Sequence, residues 1–218
     1  LEKGPMSIAM RIPLINTAIY STIRSRLMEQ FGGCVEIFIV GGAAINRETE
    51  EFLLKIKFPI TVGYGMTECA PLISFETPTQ FKSGSCGKLL PNDLLEGKIC
   101  SSNPKTIPGE LLVRGEHVMK GYYKNETATK AVLDEDGWLH TGDMCTMDED
   151  RTLYIRGRCK TMILSGSGQN IYPEEIEERL NNLYMVAESL VIENNGRLTA
   201  LVVPDYELAN AEGVNLDN

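Results

Sequence analysis

Histidine and tryptophan are scarce in this 218-residue chain: His117 and His140 are the two histidines and Trp138 is the one tryptophan. Two isolated histidines cannot supply the paired ligands of an HExxH zinc helix. The six cysteines (Cys34, Cys69, Cys86, Cys100, Cys145 and Cys159) are scattered with no CxxC pair, which argues against structural zinc and leaves reduced thiols in a cytoplasmic setting as the expectation. Basic residues are outnumbered, 21 against 30 acidic ones, for a net charge of -9. A nucleic-acid partner, which would call for a basic patch, is therefore not expected. No apolar run approaches the roughly 18 residues of a transmembrane segment, which leaves peripheral membrane association open. The opening Leu1-Glu2-Lys3 carries neither an initiator methionine nor a signal-peptide pattern and reads as a start inside a longer protein.

What is present is ordinary globular composition, 43% hydrophobic and 23% charged. The length suggests one or two domains at about 100 to 200 residues each. Apolar residues at Ile12, Ile15, Ile19, Ile23 and Leu27 recur every three or four positions and predict an amphipathic helix that ends at Gly32-Gly33. Val35 to Val40 reads as a buried parallel strand delivering Gly41, Gly42, Ala43 and Ala44. Arg47 to Phe58 then supplies a crossover helix and Ile60 to Val62 a second strand, so residues 35–62 form a βαβ unit. Two loops, 41–44 and 63–68, leave the same edge of that sheet, where ligands of parallel sheets sit. A bare Gly-Gly is equally at home in a tight turn.

The second loop reads Gly63-Tyr64-Gly65-Met66-Thr67-Glu68. A tyrosine face can stack on a base, a threonine hydroxyl can donate to a phosphate oxygen and a carboxylate can hold a magnesium ion. Tyr64 is also a credible packing residue. Residues 70–115 change character: short apolar runs alternate with Pro, Gly, Asn and Ser turns, the mark of a β-rich segment. Asn125 is placed to cap a short helix through Leu133. His140 has no pairing visible in the sequence and reads as structural.

The segment from Gly137 to Arg179 concentrates the remaining special geometry. Thr141-Gly142-Asp143 places a carboxylate on a tight turn, where it can bridge two hydroxyls or cap the turn itself. After the apolar run Leu153-Tyr154-Ile155 come Gly157-Arg158-Cys159-Lys160, a second apolar run, Gly166 and Gly168, and a helix opened by Pro173 with Glu174 and Glu175 in its first turn. Arg158 and Lys160 would each be unremarkable on a surface. Beyond them, apolar runs flank Asn194-Asn195-Gly196, a strong hairpin signal.

In order and spacing, GYGMTE, TGD, GRxK and GxNIxPxEIE resemble the adenylate-forming superfamily of acyl-CoA synthetases, adenylation domains and luciferases. The resemblance extends over nearly the whole chain and is nearest to long-chain fatty acid and other acyl-CoA synthetases. It implies an α/β fold: residues 1–159 as the carboxyl-terminal part of the large AMP-binding domain, with parallel βαβ and barrel-like β-rich pieces, and 160–218 as the start of a small α+β domain hinged at Lys160. It also implies roles. Tyr64 lies against adenine, Thr67 contacts the α-phosphate as a catalytic group, Glu68 is catalytic through magnesium, and Asp143 and Arg158 hold the ribose. Gly42, Ala43, Gly65 and Met66 complete the nucleotide set, and Gly166 and Gly168 border the tunnel for CoA. Thr161 departs from the acidic residue often found after the hinge lysine.

Two elements of the pattern are not in this sequence: the Ser/Thr/Gly-rich phosphate loop, and a lysine after Lys160, the last in the chain. On that ground the isolated chain is expected to lack acid-dependent pyrophosphate exchange while keeping weak AMP binding. The reaction implied for the parent is ATP-dependent activation of a carboxylic acid, most simply a fatty acid, to acyl-AMP, followed by transfer to CoA with Mg²⁺ as cofactor. The alternatives are an adenylation domain that loads a carrier protein, and a non-catalytic nucleotide-binding module.

Overall fold

The structure, a computed structural model, describes residues 13–166 and 168–214. Helix α1 (Pro13–Gln30) turns one apolar stripe inward, with Tyr20, Ile23, Leu27 and Met28 packed on a cluster of Ile56, Phe58 and Ile60. Ile12 and the side chain of Ile15 lie outside the described residues. The helix stops where Gly32 and Gly33 take positive φ, at 84° and 79°, and Gly33 N–H reaches back to Met28 O at 2.8 Å.

The βαβ unit forms as expected. β1 (Phe38–Val40) and β2 (Ile60–Val62) pair in parallel through Phe38↔Ile60, Ile39↔Thr61 and Val40↔Val62. Between them runs α2 (Arg47–Lys55), capped by Asn46, whose side chain accepts from Thr49 N–H at 3.0 Å. The helix is shorter than the Arg47 to Phe58 read from sequence because Lys57 turns left-handed at φ 57°. Phe58 N–H then bonds Leu53 O and Lys57 N–H bonds Leu54 O, both at 2.9 Å, the paired bonds of a Schellman end.

The reading of Val35 to Val40 as one buried strand needs correction. Only Phe38–Val40 is strand, and Ile39 is 54% exposed while β2 is buried throughout. The cause is the ladder. β2 offers three residues to pair with, and among the described residues no strand lies on the other side of β1.

β3 (Tyr64–Gly65), β4 (Leu72–Phe75) and β5 (Lys88–Leu89) form an antiparallel sheet in that order. β6 (Glu96–Cys100), β7 (Gly109–Arg114), β8 (Leu139–Met147) and β9 (Leu153–Arg158) form a second one, with α3 (Glu126–Val132), capped by Asn125, inserted before β8. The two sheets share one core. Ile73 and Leu89 from the first meet Leu111, Val113, Leu139, Cys145 and Leu153 from the second, with Cys69 and Leu95 from the segments beside them, all buried, and a bridge between Lys88 and Thr152 joins the sheet edges.

After β9 the chain passes Lys160 in a turn and builds a smaller α+β part. Short strands β10 (Ile163–Leu164) and β11 (Asn170–Ile171) make a hairpin whose tip carries Gly166 and Gly168. α4 (Pro173–Asn181) packs on β12 (Val186–Asn194), which pairs with β13 (Arg197–Pro204) across Asn195 and Gly196 at φ 52° and 75°, the left-handed pair that an Asn-Gly turn supplies. The chain ends in α5 (Tyr206–Ala211), capped by Asp205. Among the described residues no helix is long and apolar enough to cross a membrane.

Candidate functional site

Three segments meet just past the carboxyl ends of β1 and β2. Gly63 N–H extends the ladder to Val40 O at 2.9 Å, and a Cβ on Gly41 would lie 3.1 Å from Gly63 O, so the 41–44 and 63–68 loops touch. Gly42 sits at φ 86°, open to left-handed backbone because it has no Cβ, and Ala43 beside it is exposed. Gly65 is dictated by space. A Cβ there would fall 1.9 Å from Pro71 O, the same carbonyl that takes the Met66 N–H at 2.8 Å. The chain then enters a 3₁₀ turn at Thr67–Cys69 and leaves it through Ala70 at φ 55°. The turn holds Cys69 in the core and leaves Thr67 exposed and Glu68 half-buried.

The third segment is the β8–β9 pair. Its register sets Asp143 opposite Arg158, and the guanidinium Nε bonds Asp143 Oδ1 at 2.9 Å. The other carboxylate oxygen, Oδ2, accepts the Tyr64 hydroxyl at 2.5 Å. Tyr64, Asp143 and Arg158, spread over 95 positions of sequence, thus form one hydrogen-bonded line. Asp143 is 11% exposed at its side chain and Arg158 is 57% exposed, so the carboxylate is fixed inside the line and the guanidinium keeps free donors toward solvent. Each carboxylate oxygen retains a lone pair for a further donor. Burial, and then the Asp143 charge, push the Tyr64 phenol above the ordinary tyrosine value, so it stays a neutral donor at working pH. The Tyr64 ring and the Met66 side chain pack against the shared core.

Thr141, Gly142 and Asp143 lie within β8 and not on the tight turn read from sequence, because the β8–β9 ladder runs on through Asp143↔Arg158, and this stretch of strand is held from β7. Gly142, at φ 73°, donates its N–H to Glu110 Oε1 at 3.1 Å, and Glu110 Oε2 stands 2.9 Å from His140 Nδ1. Thr141 hydroxyl bonds Leu111 O at 2.8 Å and accepts the Asp143 N–H at 3.1 Å. Sequence gave His140 no partner, and Glu110 is that partner. The irregular pairing between Glu110 and Leu112 on β7 lets the carboxylate reach Gly142 on β8, a long-range bulge that local spacing does not announce.

Glu68 has its own tether, also unforeseen. Tyr122 hydroxyl donates to Glu68 Oε1 at 2.7 Å, and Met119 N–H bonds Glu68 O at 2.7 Å. The segment Lys120-Gly121-Tyr122-Tyr123, read from sequence as support, therefore supports this particular loop. Among the described residues no three His, Cys, Asp or Glu side chains gather where they could cage a metal ion. One half-buried carboxylate with one oxygen held by Tyr122, beside an exposed threonine hydroxyl, suits a magnesium ion that arrives with phosphates and keeps several waters. The cysteines near the site are poor nucleophiles. Burial and then the Glu68 charge raise Cys69 to about 12, and burial raises Cys86 to about 11 and Cys145 well above its ordinary value.

The other sequence candidates stand apart from this line. Lys160 is exposed, with no hydrogen bond or ion pair among the described residues. A Cβ at Gly166 or Gly168 would meet nothing within 4 Å, so the hairpin tip stands in open space. The small part is tied to β9 by Arg156 and Glu175 at 3.8 Å, and to α2 by a hydrogen bond between Asn46 and Asn182, beside an open cleft of about 450 Å³.

Comparison with known proteins finds matches to this chain. A family profile described as AMP-binding enzyme matches residues 8–123, more than half of the chain. The 4-coumarate-CoA ligase 2 of Narcissus pseudonarcissus is 34% identical over 221 residues, covering 94% of this chain and 38% of the relative. A long-chain-fatty-acid–CoA ligase of Gallus gallus is 30% identical over 211 residues, covering 96% and 27%. Among solved structures, O-succinylbenzoate coenzyme A synthetase from Bacillus subtilis in complex with ATP and magnesium ion superposes with a TM-score of 0.69 at 32% identity, over 87% of this chain and 42% of that one. ATP-bound MatB from Rhodopseudomonas palustris gives 0.70 at 29% identity, over 92% and 41%. The chain spans less than half the length of each of these relatives.

Proposed function

The chain belongs to the AMP-binding enzyme family, and from that premise we propose that it forms the nucleotide-holding part of an AMP-forming ligase that joins a carboxylic acid to coenzyme A. The observation that carries the proposal is the line Tyr64–Asp143–Arg158 beside the Thr67–Cys69 turn. Asp143, fixed on both sides, accepts from the ribose hydroxyls through its remaining lone pairs, and Arg158 donates to the same sugar. Tyr64 orients Asp143 and offers a ring edge to the base. Gly42, Ala43, Gly65 and Met66 let the backbone come close to the nucleotide, and Thr67 hydroxyl donates to the α-phosphate.

Magnesium, when bound, supplies positive charge to the phosphate oxygens. Glu68, with one carboxylate oxygen held by Tyr122, would hold it. In the reaction the acid's carboxylate oxygen bonds the α-phosphorus and pyrophosphate leaves. The thiolate of CoA then attacks the acyl carbon, and AMP leaves with its phosphate oxygen. Lys160 is the hinge between the part ending at residue 159 and the part from 160 onward, and the Gly166 and Gly168 tip borders the route for CoA. Relatives named for 4-coumarate and for long-chain fatty acids both support CoA as acceptor, and they keep the acid at the level of a carboxylic acid. All six cysteines are free thiols, which supports a cytoplasmic setting.

The test is ATP-dependent CoA-ester formation by the protein that carries this chain, over aromatic acids and fatty acids of graded length, with Asp143→Asn as control. An acid-dependent CoA ester that falls at least tenfold in the control is expected. Transfer to a carrier protein instead of CoA, or no acid-dependent use of ATP, would overturn the reading.

A further inference from the structure

Glu68 does not stand alone on its turn. Its carboxylate is reached by the Tyr122 hydroxyl at 2.7 Å and its backbone carbonyl by Met119 N–H at 2.7 Å, so one segment fixes both the main chain and the side chain of this residue. That segment is in turn built to a shape. Tyr122 N–H bonds Thr129 Oγ1 at 2.9 Å, and the same oxygen donates to Asn125 O at 2.8 Å inside α3. Gly121 lies at φ 139° with a would-be Cβ only 2.8 Å from the Thr129 methyl, so no side chain fits between them. The result is a continuous relay from Asn125 through Thr129 and Tyr122 to one carboxylate oxygen of Glu68. Tyr122 is 38% exposed, and its ring is not among those packed on the shared core, which argues that the phenol is not there merely to fill space.

From this relay we infer that Tyr122 is a positioning residue for magnesium binding: it holds Glu68 Oε1 so that Oε2 faces the nucleotide's phosphates in one orientation. The inference rests on the nucleotide-site reading proposed above. It acts through Glu68, and Tyr122 itself touches neither metal nor nucleotide. A carboxylate on a free side chain loses rotamer freedom when it takes up a metal, and a hydroxyl that has already fixed it removes that cost. Hydrogen-bond partners of ligating carboxylates commonly affect metal affinity by about tenfold or more. The sign is therefore fixed: deleting the hydroxyl weakens metal binding, although it also removes a competing donor from the carboxylate.

The experiment titrates Mg²⁺ into the protein with ATP at constant concentration and follows nucleotide binding by calorimetry, for wild type, Tyr122→Phe, Glu68→Gln and the double variant. Thermal melting is run alongside. Tyr122→Phe should raise the Mg²⁺ concentration for half-maximal effect about tenfold, leave metal-free AMP affinity and melting unchanged, and have no further effect in the Glu68→Gln background, the signature of two residues acting as one. Thr129→Val, which removes the next link, should shift the Mg²⁺ requirement in the same direction by a smaller factor. An unchanged or lowered Mg²⁺ requirement in Tyr122→Phe, or an equal loss in the Glu68→Gln background, overturns the inference and leaves the nucleotide site standing. If wild type binds no nucleotide in a Mg²⁺-dependent way, the site reading fails and this inference fails with it.

Discussion

The β-rich centre of the molecule and the part beyond Lys160 solve the same problem with opposite results. In the centre two sheets share one core, and four residues of the candidate site are held by partners on other segments: Tyr64 by Asp143, Asp143 by Arg158, Gly142 by Glu110, Glu68 by Tyr122. Beyond Lys160 the sheet β12–β13 is covered on one face by α4, which takes the Val191 N–H on Glu177 at 2.7 Å and the Ser189 hydroxyl on Asn181 at 2.7 Å. On the other face Leu190 and Leu201, paired across the strands, are 53% and 52% exposed. The hydrogen-bonded line of the candidate site therefore lies within the centre, and no described residue beyond Lys160 takes part in it.

The largest effect that would sharpen this contrast is cleavage. Trypsin should cut first at Lys160, which is exposed on a turn between β9 and the β10–β11 hairpin, and leave a resistant fragment ending there. Protection of residues 158–168 with early cleavage inside 60–157 would erase the distinction.

Glycine substitutions come next. Gly65→Ala drives a methyl to 1.9 Å from Pro71 O and should lower stability by about 3 kcal/mol or more and abolish AMP binding. Gly168→Ala, at φ 81° in open space, should cost about 1 kcal/mol. Gly166→Ala should stay within about 0.5 kcal/mol. Urea unfolding of the three variants orders them, and comparable losses in all three would mean the hairpin tip is packed.

The smallest expected effect is the absence of one. A phenol whose folded value is raised contributes fully below the unfolded tyrosine value of about 10 and loses that contribution only as pH rises through the folded value. The stability difference between wild type and Tyr64→Phe should therefore be the same at pH 6 and pH 9. A difference that grows with pH across that interval would mean a folded value lowered below the unfolded one and would contradict the neutral donor.

Local motifs made part of this legible and long-range pairing hid the rest. Gly42 and Gly142 were readable because a glycine in such a motif announces left-handed backbone, and the cap at Asn125 and the Asn195-Gly196 turn are local chemistry of the same kind, whereas the need for Gly65 comes from the approach of Pro71 O. The Tyr64–Asp143 bond crosses 79 positions, and neither periodicity nor spacing could pair those residues. Glu110 with His140 and Tyr122 with Glu68 were missed for the same reason: each depends on which strand or turn lies opposite. The exposure of β1 was missed because an apolar run states what a strand can bury and not what is present to bury it.

The most direct measurement is calorimetric titration of the protein with AMP, in which no metal or phosphate chain is needed and the Tyr64–Asp143–Arg158 line is tested by itself. The account predicts one site per chain. It predicts that Asp143→Asn, which removes the charge facing Arg158 and weakens the acceptor for Tyr64, lowers affinity at least tenfold, and that Gly166→Ala binds as wild type does. No binding of AMP by the wild-type chain, or equal affinity in Asp143→Asn, would contradict it.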